Sequence, residues 1–434
     1  LKFRSNTSKV EVLILSFCFL GVFLYCILNE PIYSPDTYSY LKAMPYRQLG
    51  YVIFLKAYKV FFGNFFNLAV IATQVIFSLT GVAFFIKKLT ELIPLNLISK
   101  LILLLILLFP FFPPLSIANN IASEGLGYGF FLFFITTGLD IVITGNKKNL
   151  ILFALSYLGL VFMRGQFFYT PLVFALLYVI IHKKQIFDKK RIFIILVFIG
   201  SIALASIIER SYHKLKDGFF KPTPLAFVSA STAPIYLSSK EDAKLFANTD
   251  YKSILKRSFD SLEAKGLLAN SKQSYNEQYM FFHNNLPKIC NQTVHKEALD
   301  YYFENLPKGL SEKQQSSFPY FAAEAAAKQF TKTLITNNLS EWLVLFFHNV
   351  SHGFFSPLIF VLLVLIFAIS LVKQFYKSNR NYVVPLVLSS LILSNSVLIA
   401  FASHSIMRYL FYHYALLFLL FISTLKLLNV GKRN

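Results

Sequence analysis

Acidic residues are scarce in this chain, and their distribution is uneven. Only 21 of 434 residues are Asp or Glu, against 42 Lys and Arg. Fourteen of those acids fall in one segment, residues 209–342, which leaves seven for everything else. Cysteine is scarcer still. Cys18 and Cys26 sit inside the first apolar run, and Cys290 has no partner in its own segment, so no disulfide framework and no CxxC metal motif exists. There is no phosphate-binding glycine loop, no dinucleotide fingerprint and no Ser-His-Asp signature. ATP-driven transport and cytoplasmic nucleotide-sugar chemistry are therefore without support. No repeat of fixed period is present either.

Apolar surface is abundant instead. Hydrophobic residues make up 56% of the chain and aromatic residues 17%, with a mean hydropathy of +0.56. A soluble domain does not need so much. The excess falls in runs long enough for a helix to cross ~30 Å of hydrocarbon. Ten spans are expected, at 10–29, 66–86, 97–112, 121–143, 150–163, 166–182, 192–208, 355–372, 382–402 and 407–428. The fold class is all-α, a polytopic transmembrane bundle. The middles of these spans carry no Lys, Arg, Asp or Glu.

The net charge of +21 follows the topology rather than a nucleic-acid surface. With the N-terminus cytoplasmic, the cytoplasmic segments hold 19 of the Lys and Arg, and the short outer segments hold six. The cytoplasmic set includes "KK" at 87–88, "NKKN" at 146–149, "HKKQIFDKKR" at 182–191 and the final "GKRN". The other 17 lie in 209–342, where 14 acids nearly balance them. That asymmetry is the positive-inside rule, and it places both termini in the cytoplasm. The first span, flanked by "LKFRSNTSK", is followed by no small-x-small cleavage site and reads as an uncleaved anchor.

Three parts follow: an N-terminal transmembrane module (1–208) whose first outer loop is 30–64, an extracytoplasmic segment (209–342), and a C-terminal transmembrane module (343–434). Residues 51–64, apolar but short and carrying Lys56 and Lys59, are expected to lie at the outer interface as a helix. The extracytoplasmic segment has helical spacing at 250–268 and 318–337 and many aromatic residues, so it is expected to be an ordered, mainly helical cap.

Ionisable residues at the membrane are costly and call for an explanation. Glu11, Glu91, Asp140 and Asp188 fall at cytoplasmic ends. Glu30, Asp36 and Glu124 fall at the outer face, together with Arg47, Arg164, Arg408 and His404. Each has an ordinary role open to it. Asp36 in "SPDTYSY" suits a helix N-cap. Glu124 suits the positive end of the helix it opens. The arginines suit headgroup anchors. Taken together, these roles do not explain why acids and arginines gather on one face while the other has mostly lysine. "HNVSH" sets His348 and His352 one turn apart, as in helical zinc sites, but lacks the intervening Glu and an evident third ligand. Interfacial histidines are the expectation there, and no metal residue is assigned.

Four stretches, in order along the chain, resemble bacterial integral-membrane glycosyltransferases of the C fold class, the protein-mannosyltransferase-like group. They are "SPDTYSYLKAMPYRQLGYVIFLKAYKVFFG" (34–63), "IASEGLGYGFFLFF" (121–134), "LGLVFMRGQFFYTPLVF" (158–174) and "HSIMRYLFYHYALLFLL" (404–420). The first is similar to that family's first outer loop, with "QL" and Val52 where the family has prolines. The third reads Met163-Arg164-Gly165 in place of a Thr-Arg-Pro core. The last carries the Arg-Tyr pair at Arg408 and Tyr409.

The resemblance implies transfer of a sugar from a polyprenyl-phosphate carrier to an acceptor hydroxyl, usually with inversion. The transfer would occur on the outer face of a bacterial inner membrane, and the acceptor would be a lipid, a glycan or a protein. The family's catalytic acid falls on Asp36, and Glu124, the second catalytic candidate, falls on its Ser-Glu. The chemistry suits the residues. A positioned carboxylate takes the acceptor's proton. The phosphate leaving group wants guanidinium forks, for which Arg47, Arg164 and Arg408, with Tyr409, are the candidates. Tyr38, Tyr51 and His404 are candidate sugar or acceptor contacts. No cofactor is assigned, and a divalent cation, Mg or Mn, is compatible as a bridge between Asp36 and the phosphate. Membrane lipid is a partner and nucleic acid is not. Two rival readings share the topology: a lipid-carrier flippase or transporter, and a glycan polymerase or ligase.

Overall fold

The computed structural model describes residues 9–269 and 274–431. The basic flank at residues 1–8 and most of the final "GKRN" lie outside the described residues. Helix dominates. No strand forms among the described residues, and the single β-bridge pairs Ile32 with Asn120.

The chain divides into two compact units. The first comprises Leu1–Ser206, Leu362–Asn395 and Met407–Asn434; the second comprises Ile207–Val361 and Ser396–Ile406. Within the first unit run α1 (Lys9–Leu28), α2 (Pro35–Leu41), α3 (Leu49–Phe62), α4 (Phe66–Leu92), α5 (Leu97–Leu108), α6 (Glu124–Thr144), α7 (Leu150–Met163) and α8 (Thr170–His182). Helix α9 (Lys189–Asp217) passes into the second unit, which is built from α10 (Ala226–Ala230), α11 (Thr232–Leu237), α12 (Thr249–Ala264), α13 (Tyr275–Ile289), α14 (His295–Glu304), α15 (Glu312–Asn337) and α16 (Leu339–His352). Helices α17 (Pro357–Lys377) and α18 (Val383–Ala402) each belong partly to both units; α19 (Met407–Leu410) and α20 (Tyr414–Gly431) complete the first.

Among the described residues, eight helical segments are long and apolar enough to cross a membrane: Lys9–Leu28, Leu49–Leu92, Glu124–Thr144, Gly165–Gln185, Lys189–Asp217, Pro357–Tyr376, Arg380–Ala402 and Met407–Leu427. Two of the ten expected spans fall short of that length. Helix α5, with its 3-10 extension, covers only Leu97–Phe111. Helix α7 has 14 residues, or about 21 Å at 1.5 Å per residue, against ~30 Å of hydrocarbon. The stretch expected as a short helix at 51–64 is α3. Gly63, at φ +48° in the left-handed region that favours glycine, separates it from α4.

Helix α6 is the centre of the first unit. In its most apolar window 83% of residues are buried, whereas α1 has 11%. Its opening sequence, "EGLGYGFF", explains how neighbours come so close. Small residues let helix backbones approach where lipid gives little hydrophobic drive. A Cβ on Gly129 would meet the Phe77 ring of α4, and one on Gly81 would meet the Gly129 backbone.

The loop leading into α6 is pinned from two sides. Ile32 donates its N–H to Asn119 O at 2.8 Å, and Ile121 donates to Ile32 O at 3.1 Å. Asn119 Nδ2 donates to Cys26 O at 2.8 Å. Buried Gln74 donates to Ala118 O at 2.8 Å and to Asn120 O at 3.1 Å, while accepting from Tyr51 OH at 3.1 Å. These bonds satisfy loop backbone groups that burial would otherwise strand. They also fix where α6 begins.

The second unit has its own core, with Phe259, Tyr279, Phe282, Ala326, Phe330 and Leu334. The stretches with helical spacing at 250–268 and 318–337 form α12 and α15. Glu324 of α15 accepts the N–H groups of Phe227 and Val228 at 2.9 and 3.0 Å, which closes the start of α10.

Gly125→Ala is expected to destabilise the first unit. Its Cβ would lie 2.7 Å from Gln74 Cδ and 2.8 Å from the Ile117 carbonyl oxygen, an overpacking that costs about 1–3 kcal/mol. Melting of the purified protein in detergent checks this. Gly21→Ala, which has open space around it, is the control and should leave the melting temperature unlowered.

Candidate functional site: five charges from separate segments

Helix α2 begins at Ser34, whose N–H donates to Thr37 Oγ1 at 3.0 Å, with Pro35 at the first helical position. The capping residue is thus Ser34, not Asp36. Asp36 sits in the first turn with its carboxylate available. The chain then turns at Ala43, φ +51°, and brings Arg47 back to Asp36. Arg47 Nη2 donates to Asp36 Oδ1 at 2.5 Å, and Arg47 Nε donates to Ser39 Oγ at 2.6 Å. Ser39 Oγ in turn donates to Asp36 O at 2.7 Å. The guanidinium also lies 4.8 Å from the Tyr40 ring centre and 5.1 Å from that of Tyr46. Tyr40 OH donates to Ser123 Oγ at 3.1 Å, which ties this loop to the foot of α6.

Glu124 is the first residue of α6, where the helix dipole favours an anion. Its side chain is only 4% exposed. Such a carboxylate has to be paired, and two arginines supply the charge. Arg164 Nη1 donates to Glu124 Oε1 at 2.7 Å. Arg408 Nε donates to the same oxygen. Arg164 follows the last turn of α7 in extended conformation, donates to Gln166 Oε1 at 3.2 Å and lies 5.4 Å from the Tyr409 ring centre. Gly127 leaves room for it, since a Cβ there would stand 3.1 Å from Arg164 Cγ.

Arg408 joins the two halves. Its Nη2 pairs with Asp36 Oδ2 at 2.7 Å while its Nε holds Glu124. Asp36, Arg47, Glu124, Arg164 and Arg408 therefore form one network, with three positive and two negative groups. Burial opposes ionisation of Asp36, but Arg47 and Arg408 outweigh it and hold the carboxyl below the usual range. Glu124 Oε2 and the hydroxyl of neighbouring Tyr412 are buried without a hydrogen-bond partner.

The other expected site residues fall elsewhere. Tyr409 sits against Arg164, and its carbonyl oxygen accepts from Gln166 Nε2 at 3.3 Å. Tyr38 is exposed, its ring 6.0 Å from that of Tyr33. Tyr51 is a correction: its side chain is fully buried and its hydroxyl is spent on Gln74, so it braces the loop and cannot stack on a sugar. Glu30 is exposed and takes no part in these ion pairs. His404 belongs to the second unit, where its Nδ1 bonds to His283 O at 3.0 Å. The rings of His352 and His404 lie 4.4 and 4.9 Å from that of His283. Among the described residues, no group of three or more His, Cys, Asp or Glu is placed to hold a metal. Asp36 and Glu124 do not fit a divalent cation as they stand, because Arg408 lies between them and bonds to both.

Sequence reasoning missed Ser39 and Gln166. Spacing gave a signal for both: Ser39 lies one turn beyond Asp36, and Gln166 lies two residues beyond Arg164. Comparison with protein-family models, with curated proteins and with solved structures finds no match to this chain. What the cluster can do chemically is bind an anion. It carries one net positive charge, is largely shielded from water, and presents fork-shaped donors suited to carboxylate or phosphate oxygens.

Glu124→Gln leaves Arg164 without a carboxylate partner in a largely buried place. A loss of about 3–5 kcal/mol is expected, read as a lowered melting midpoint. Glu91→Gln, at a partly exposed Lys88 pair, should change little. A second prediction concerns acid. Burial first, then His404 and His352, push the His283 pKa down to about 4. The folded state therefore binds fewer protons than the unfolded one between that value and about 6.5. The stability His283 contributes is complete above pH 6.5 and is lost as the pH falls toward 4. The difference in melting temperature between the parent and His283→Gln should shrink or reverse across that window.

Proposed function

We propose that this chain is a membrane glycosyltransferase that moves a sugar from a polyprenyl-phosphate carrier to the hydroxyl of a lipid, glycan or protein acceptor. The reaction takes place on the outer face of a bacterial inner membrane, with inversion. The observation that carries this reading is the meeting of Asp36 with three arginines and a second carboxylate, from segments up to 372 positions apart in the chain (36 to 408). Buried charge of this kind marks function more often than scaffolding.

The residues divide the work in a simple way. The acceptor hydroxyl attacks the anomeric carbon from the face opposite the phosphate, and a single displacement of that kind inverts the centre. Asp36 takes the hydroxyl proton. The carbon–oxygen bond to phosphate breaks with its electron pair going to the phosphate, and Arg47, Arg164 and Arg408 meet the growing charge. Arg47 and Arg164 are already oriented by Ser39 and Gln166, so little rearrangement is needed when that charge develops. The prenyl chain stays in lipid. In this reading the helices cross ten times, α5 and α7 being short crossings, with both termini in the cytoplasm as the lysine and arginine distribution directs.

The test is sugar transfer by the full chain in lipid nanodiscs. Radiolabelled hexosyl and pentosyl polyprenyl phosphates are the donors, and a membrane extract supplies the acceptor. Asp36→Asn is expected to lower transfer by about 10²–10⁴-fold and Arg164→Gln by about 10²–10³-fold. Transfer by Asp36→Asn at the parental rate would end the claim that this carboxylate is the base.

A further inference from the structure

Asp36 is blocked in the arrangement described above. Oδ1 accepts from Arg47 Nη2 at 2.5 Å and Oδ2 faces Arg408 Nη2 at 2.7 Å, so each oxygen already carries a guanidinium. A carboxylate held in this way is a poor proton acceptor. One guanidinium has to leave before Asp36 can take a proton from a hydroxyl.

The two arginines are not equally free to leave. Arg47 is anchored to Ser39, lies against two tyrosine rings and is 16% exposed. Arg408 directs its hydrogen bonds to Asp36 and Glu124 and is 38% exposed. Its departure does not strand Glu124, whose Oε1 keeps Arg164. Of the two, Arg408 is the more open to water and the one that touches both carboxylates.

We infer that Arg408 is a gate on Asp36. In the resting protein it caps the carboxylate; the phosphate of the donor draws it away, so donor binding is what arms the base. This rests on the lipid-phosphate reading above and adds an order to it, with the donor first and the acceptor reacting second. A phosphate group offers the guanidinium fork two oxygens at once. With Oδ2 free, the acceptor O–H proton passes to Asp36, the acceptor oxygen bonds to the anomeric carbon, and the phosphate leaves with the bonding pair toward Arg408. A sugar hydroxyl or water that arrives alone finds no base. Arg408 is thus a positioning residue for Asp36 as well as a phosphate contact.

Carbodiimide labelling of Asp36, followed by mass spectrometry on the full chain in nanodiscs, tests this without knowing the sugar. The reagent consumes protonated carboxyl. Removing one guanidinium that raises the carboxyl pKa by about one unit raises its labelling on the order of tenfold. Farnesyl phosphate is the probe and farnesol its uncharged control. Farnesyl phosphate is expected to raise Asp36 labelling while farnesol does not. Arg408→Gln should label at the raised rate with no ligand, and farnesyl phosphate should add nothing further. Arg408→Lys keeps the charge but holds one carboxylate at a time, so its labelling should fall between the two; it carries the test should Arg408→Gln fail to fold. If farnesyl phosphate raises the melting temperature and Asp36 labelling stays flat or falls, the gate is overturned and the phosphate reading stands. If farnesyl phosphate neither stabilises the protein nor changes labelling, both are overturned.

Discussion

One guanidinium, that of Arg408, bonds to two carboxylates from different parts of the chain, and the local order of the first unit depends on that contact. Glu124 is nearly sealed from solvent, and an isolated carboxylate there would be too costly to keep ionised. Arg164 and Arg408 make its burial tolerable, and Arg408 then extends the network to Asp36 and Arg47. The end of α7, the start of α6, the α2 turn and the short α19 are all held where they are by the same set of charges. A buried ion network is a weak source of net stability but a strong constraint on geometry. Here the constraint falls on the residues proposed above to carry the reaction.

The apolar framework supplies the precision. Gly125, Gly127 and Gly129 on the first turns of α6 allow α4 and the Arg164 stem to approach closely, and Gln74 pins the loop above through two carbonyls. Positioning of this kind is set before any ligand arrives. Charge stabilisation by groups already in place avoids reorganisation at the moment of reaction. Arg408 is the member of the set with the greatest exposure.

The all-helical class was legible from the apolar runs, because a chain that hides its backbone polar groups in lipid has few alternatives to helix. Charge placement marked Asp36, Arg47, Glu124, Arg164 and Arg408, and these do stand together. Their pairings were not legible. Spacing suggested Asp36 as a cap, yet Ser34 starts α2. Tyr51 read as a sugar contact from its place in the first outer loop, but Gln74, 23 residues on, claims its hydroxyl. Two short helices, α5 and α7, are apolar enough to read as spans, and only their ends in three dimensions reveal their length. His404 read as part of the charged cluster because topology put it on the same face; its partner His283 lies 121 residues away, beyond the reach of any local pattern.

The most direct measurement is a double-mutant cycle between Glu124→Gln and Arg408→Gln, read from denaturation of the full chain in one detergent. If Arg408 bridges the carboxylates, the two losses overlap, and the coupling energy should be about 1–3 kcal/mol, the range for residues in one network. Losses that add to within about 0.5 kcal/mol would mean that Glu124 and Arg408 do not share a contact, and the five-charge site would not exist as described.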